Sequence, residues 1–213
     1  MTVGRFTDRL LPRLKAASIS LTADEIRLLA DYWELLGRWN ATVNLTALPF
    51  DGNPAHSVDR LIVEPLLAFR LMPAGPMTWF DLGSGGGSPA IPLKILAPRA
   101  NLMMVESRSR KAAFLREVVR SLGLSATEVL NDRFESVADR QPAAADCITV
   151  RAVRQDLKLS TVARRLLKPS GRLVLFESSG SPANLPGFVS IDEFSFEQMR
   201  TRIRAVVPRG TND

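Results

Sequence analysis

The chain has 213 residues, 46% of them hydrophobic, enough for one well-buried core and a small appendage but short of two full domains. One cysteine excludes an internal disulfide, and one cysteine with one histidine cannot build a structural zinc site, so a reducing, cytoplasmic setting with no bound metal is expected. The formal charge of +6 is carried mostly by arginine, since only Lys15, Lys94, Lys111, Lys158 and Lys168 are lysines; the guanidinium fork suits phosphate, so this balance fits a nucleic-acid partner as well as it fits a merely solvated surface.

The opening MTVGRFTDRLLPRLKAAS is charged throughout, and nowhere do about eighteen apolar residues run together, so neither a secretory leader nor a membrane span is expected. TADEIRLLADYWELLGRWN starts with a capping box, Thr22 to Glu25, and repeats apolar residues at Ile26, Leu29, Trp33 and Leu36. That is an amphipathic helix, with Trp33 and Trp39 read as core. A loop holding Pro49, Gly52 and Pro54 leads to a second helical stretch, HSVDRLIVEPLLAFRLM, in which His56 and Asp59 share a face. PAGP then ends the helical part. Residues 1–72 read as a helical extension and 77–213 as the main fold of one domain.

From Met77 the pattern changes to alternating strands and helices. MTWFDL reads as a strand, PAIPLKILA as a helix stopped by Pro98, NLMMVE as a strand, and RKAAFLREVVRSL as a helix closed by Gly123. TEVL and DCITV are further strands, with the loop NDRFES between them. DLKLSTVARRLL is a helix, and RLVLFE a strand after the turn KPSG. The tail VSIDEFSFEQMRTRIRAVV supplies a final antiparallel pair. Such alternation implies an α/β, Rossmann-like sheet, mostly parallel and covered on both faces, with ligands at the carboxyl ends of its strands.

The stretch WFDLGSGGGSPAIPLKI falls at such an end. Gly83, Gly85 and Gly87 let the backbone come close to a ligand, with Ser88 read as N-cap and Pro89 as the first helical residue. The pattern from Asp81 is D-x-G-x-G-x-G, whereas a dinucleotide loop would need glycine at position 88. This favours S-adenosylmethionine over NAD. Glu106 ends the next strand, 23 residues after Gly83, where a carboxylate can accept both ribose hydroxyls of an adenosine. After the following strand, Phe134 is placed to cover the adenine face, with the backbone at Phe134 and Glu135 meeting its edge.

Taken together, LLGRWNATVNLTAL, HSVDRLIVEPLL, DLGSGGGSPAIPLKI, ESRSRKAAFLREVVRSLGL, DRFES and VRAV resemble the bacterial small-subunit ribosomal RNA guanine-N7 methyltransferases, the glucose-inhibited division protein B family. The resemblance implies a class I methyltransferase fold with an amino-terminal helical extension, acting on one guanine in the decoding-region loop of 16S rRNA. The implied partner is 16S rRNA or the small ribosomal subunit; no membrane partner and no second copy are expected. The implied cofactor contacts are Gly83, Ser88, Phe134, Glu135 and Arg151, to which Asp81, Ser84, Gly85 and Glu106 are added from the loop pattern. Asn44, His56, Asp59 and Arg151 are placed near the target base. The chain departs from the family pattern at Ser88, Ala90 and Glu106, in the order of Arg110 and Lys111, at Glu177 where lysine is expected, and in its shorter tail.

The residues also limit the chemistry. Methylating a pyrimidine C5 needs a nucleophilic cysteine, and Cys147 sits inside a strand pattern. An exocyclic amine calls for a Pro-Pro-aromatic grip where TVRAV stands. Guanine N7 carries a lone pair and no proton, so positioning suffices and no catalytic residue is assigned. Arg108, Arg110 and Lys111 open a helix whose dipole disfavours cations there, which points to RNA phosphate, with Arg133 and Arg154 as lesser candidates. Two rivals stand beside this reading: a nicotinamide oxidoreductase, which lacks the sixth-position glycine and a Tyr–Lys pair, and a non-catalytic ribosome assembly factor.

Overall fold

The computed structural model describes residues 3–50, 54–178, 185–196 and 201–210. Helices α1 (Val3–Ala16) and α2 (Ala23–Val43) come first. The predicted capping box starts α2: the Thr22 hydroxyl accepts the Glu25 N–H, and the Glu25 carboxylate accepts the Thr22 N–H at 2.7 Å. Trp33 is buried between Phe6 of α1 and Phe50, with ring centroids 5.3 and 4.7 Å away.

The second helical stretch is not one regular helix. It runs as α3 (Ala55–Val58), a π turn (Asp59–Val63), α4 (Glu64–Ala68) and a 3₁₀ turn (Phe69–Leu71). Pro65 has no N–H, so the carbonyls four and five residues before it, Leu61 and Arg60, receive no helical donor from it. Both are taken up by side chains from the main fold, as described below.

The sheet has seven strands in the order β3-β2-β1-β4-β5-β7-β6. Five are parallel: β1 (Thr78–Leu82), β2 (Asn101–Val105), β3 (Thr127–Leu130), β4 (Ala145–Arg151) and β5 (Leu167–Ser178). The tail forms the expected antiparallel pair, β6 (Phe188–Phe196) and β7 (Thr201–Pro208), though 197–200 lie outside the described residues. β7, not β6, pairs with β5. Strand order reverses between β1 and β4, where a crevice opens at the carboxyl ends.

Between the parallel strands lie α5 (Ala90–Leu96), α6 (Ser109–Leu122), α7 (Phe134–Arg140) and α8 (Leu157–Leu166). Gly123 closes α6 in the left-handed conformation, and Asp156 caps α8 by accepting from the Lys158 and Leu159 N–H groups. One apolar core runs from Phe6 and Leu29 through Trp79 and Phe114 to Ile203, so α1 and α2 share it with the sheet; a second fills the opposite sheet face around Phe80, Ile148 and Leu173. Among the described residues no helix is long and apolar enough to cross a membrane.

Candidate active site

β1 ends at Leu82, and the chain turns at once. The carbonyl of Val105, the last residue of β2, accepts the N–H groups of Gly83 and Ser84 at 2.9 and 3.1 Å. The glycine turn is thereby tied to the neighbouring strand. Gly83, Gly85 and Gly87 all have positive φ, but they serve different ends. A Cβ on Gly87 would come 2.9 Å from Ile91 Cγ1, whereas one on Gly85 would meet nothing nearer than the Gly83 carbonyl at 3.7 Å. Gly87 is required by packing; the space at Gly85 is open cleft.

That cleft has a volume of about 370 Å³, within the range of small-molecule sites. The glycine turn forms one wall, Glu106 with Arg108 and Lys111 a second, and Arg151 to Val153 at the end of β4 a third; Leu36, Leu45, Thr46 and Leu61 bring the helical extension to its edge. Glu106 is nearly buried, and its oxygens accept the N–H groups of Gly85 at 2.9 Å and Arg108 at 2.8 Å. Each oxygen keeps acceptor capacity for a ligand hydroxyl. Asn131 donates to the Glu106 carbonyl at 2.9 Å, fixing the strand end from the far side.

Asp81 lies beneath the turn, not on the cleft surface. Its Oδ1 accepts the Thr149 hydroxyl at 2.5 Å, and Thr149 in turn accepts from Trp79 Nε1 at 2.9 Å. Its Oδ2 is buried without a partner. Burial pushes its pKa up to about 6, against the pull of Thr149, Ser84 and the Arg151 charge. A buried acceptor left open under a glycine turn invites a ligand donor or an ordered water. Ser84 is also buried, its hydroxyl donating to the Asp81 carbonyl at 2.9 Å.

Ser88 does not cap α5. The helix begins one residue later than expected, at Ala90, with Pro89 in the cap position. The Ser88 hydroxyl instead donates to the Leu61 carbonyl at 2.9 Å, and Arg151 Nη1 donates to the Arg60 carbonyl and to Ser88 Oγ, the latter at 3.3 Å. These are the two carbonyls that Pro65 cannot serve. Arg151 Nη2 meets Glu64 at 3.1 Å, and its guanidinium lies 4.6 Å from the Phe176 ring. Burial depresses the Arg151 pKa, and Glu64 opposes that.

Two participants went unforeseen. Glu64 is wholly buried and also binds Arg60 at 2.9 Å. Tyr32, on α2, donates its hydroxyl to the Gly86 carbonyl at 2.7 Å; burial drives its pKa far up, so the phenol stays protonated.

The model of the family described as rRNA small subunit methyltransferase G matches residues 25–187. The chain belongs to the rRNA small subunit methyltransferase G family. Relatives with that name include one from Xanthomonas campestris, 39% identical over 73% of this chain and 70% of its own, and one from Chromobacterium violaceum, 35% identical over 79% and 78%. In fold the chain resembles a putative methyltransferase from Escherichia coli, with TM-score 0.53 and 13% identity over 77% of this chain and 91% of that one. It likewise resembles a SAM-dependent methyltransferase from Aquifex aeolicus, with TM-score 0.53 and 17% identity over 70% and 92%. As a member of the methyltransferase G family it is a methyltransferase that uses S-adenosylmethionine. The open space at Gly85, the Glu106 carboxylate and the orphaned Asp81 oxygen suit the hydroxyls and ammonium of that molecule.

The other expected site residues are spread more widely. Phe134 starts α7 rather than lying in a loop and packs on the sheet core, while Glu135 pairs with Lys158. Asp59 binds Arg13 and so ties α1 to the π turn. His56 is exposed, and Asn44 is the exposed, left-handed C-cap of α2. Arg108 and Lys111 reach the cleft rim, and Arg110 is exposed beside them. The dipole argument for these cations is weaker than the sequence suggests, because the Glu106 carboxylate already occupies the start of α6. Arg133 is the exposed N-cap of α7, and Arg154 is exposed, 3.7 Å from Asp156. Glu177 is buried and ties β5 to β7 through Arg202 at 2.9 Å and Arg204 at 2.5 Å.

Proposed function

We propose that the chain transfers the methyl group of S-adenosylmethionine to N7 of one guanine in the decoding-region loop of 16S rRNA, working in the cytoplasm as a monomer. The observation that carries the reading is one cleft that joins a glycine turn, open at Gly85, to a strand-end carboxylate. In this reading Glu106 accepts the ribose hydroxyls, the backbone at Gly83 to Gly85 takes the amino-acid end with Asp81 beneath it, and Ser88 and Arg151 form the far wall. Arg108, Arg110 and Lys111 meet RNA phosphates at the rim, with Arg133 and Arg154 further out.

The cofactor supplies an electrophilic sulfonium methyl. The chain holds the acceptor in line with it, an entropic contribution on the order of 7–11 kcal/mol for a well-oriented pair. Guanine N7 has no proton to remove, so no general base is required. Cys147 supports this choice of acceptor: it is buried within β4, and burial pushes its thiol pKa far above the ordinary value, which unfits it as the nucleophile of a pyrimidine C5 methylation.

The test is to incubate small subunits from a strain lacking this enzyme with labelled cofactor and digest the RNA to nucleosides. Label is expected in 7-methylguanosine, and reduction followed by aniline should cleave the RNA at one site. Label in 5-methylcytidine or an N6-methyladenosine would refute the acceptor. RNA binding without label would favour a non-catalytic assembly factor.

A further inference from the structure

Glu64 is a fully buried carboxylate between two guanidinium groups. Its burial is weak evidence of a stabilising role, since apolar side chains of similar volume are often as good or better in place of a buried ion network. Its position points to another. Arg151 is held on the cleft wall by Glu64 on one side, by Ser88 and the Arg60 carbonyl on another, and by the Phe176 ring. With two arginines and one carboxylate this cluster carries a net charge of one positive unit; without Glu64 it would carry two. In a poorly solvated cleft that difference acts on any charge a ligand brings.

The cofactor brings a fixed positive charge on sulfur. Its product, S-adenosylhomocysteine, has the same adenosine and amino-acid groups with a neutral thioether in place of the sulfonium. We propose that Glu64 is a specificity-determining positioning residue: by holding Arg151 and halving the charge of this wall, it lets the cleft favour the sulfonium over the neutral thioether. The inference rests on the assignment of this cleft to S-adenosylmethionine. Asp81 and Glu106, the other acids around the glycine turn, are common to every comparison below, which is made at about pH 8, well above the Asp81 pKa of about 6.

The experiment measures the dissociation constants of S-adenosylmethionine and S-adenosylhomocysteine by calorimetry for the wild type, Glu64→Gln and Arg60→Gln, with thermal melts to establish folding. Contacts to adenosine, carboxylate and ammonium are common to both ligands and cancel in the ratio of the two constants. In Glu64→Gln the ratio, S-adenosylmethionine over S-adenosylhomocysteine, should rise about fourfold or more. In Arg60→Gln, which removes a positive charge and leaves Glu64 to Arg151 alone, it should fall. A purely structural role would weaken both ligands alike and leave the ratio unchanged, which would overturn the inference. Should Glu64→Gln fail to fold, the direction in Arg60→Gln decides alone, a rise or no change there being a refutation. If the wild type binds neither ligand, the cleft assignment itself fails and takes this inference with it.

Discussion

Replacing Asp81 with asparagine should flatten the dependence of stability on pH. Asp81 is buried, with one oxygen bonded to Thr149 and the other unpartnered, and burial raises its pKa from 3.8 to about 6. A carboxyl whose folded-state pKa is raised holds its proton more tightly in the folded chain than in the unfolded one. Its contribution is therefore fully present below about pH 4 and is lost as pH rises through about 6. The gap between 3.8 and about 6 is worth on the order of 3 kcal/mol, about 2 of which falls between roughly pH 4 and pH 7. Urea unfolding of wild type and Asp81→Asn across that range should show the difference between them moving by about 2 kcal/mol in favour of the variant as pH rises. Parallel profiles would refute the desolvation argument.

Gly87→Ala should lose about 2–4 kcal/mol of stability, about 1 for its positive φ and about 1–3 because its Cβ would meet Ile91 and Leu115. Gly85→Ala should cost about 1 kcal/mol for its positive φ but lose most cofactor affinity by calorimetry; the reverse pattern would exchange their roles. Arg110→Ala with Lys111→Ala should weaken RNA binding and reduce its salt slope by about 0.7–0.9 for each phosphate no longer neutralised, measured by fluorescence titration; an unchanged slope would turn this helix start away from RNA. Cys147→Ser should retain methyl transfer with a stability loss of about 1–3 kcal/mol for a buried hydroxyl, and loss of transfer from a folded variant would reinstate the thiol as a reactant.

The strand–helix alternation and the glycine turn are legible in the sequence because they depend on local period and on residues that only a tight turn tolerates. Glu106 is found by its distance from Gly83 and its place at a strand end. The interactions that escape such a reading all span long sequence separations. Nothing local to Tyr32 says that its hydroxyl reaches Gly86, and Glu64 and Arg151 are 87 residues apart. Pro65 is a usable cue, since a proline inside a helical period must leave carbonyls for something else to satisfy. Ser88 obeys that demand in preference to its own capping tendency. Phe134 reads as a loop residue because FESVADR is too short to show a helical period, and the insertion of β7 between β5 and β6 follows from pairing choices that no single strand records.

The hydrogen bond from Tyr32 to Gly86 makes α2 a backing for the glycine turn, with Leu36 of the same helix against the Gly86 position. Undocking α2 and deforming the turn are then one thermodynamic event. A ligand that binds the ordered turn must stabilise the docked helix by the same factor that docking contributes to ligand affinity. Amide hydrogen exchange in α2 thus becomes a gauge of occupancy in the cleft, reporting on the bound small molecule without any label on it.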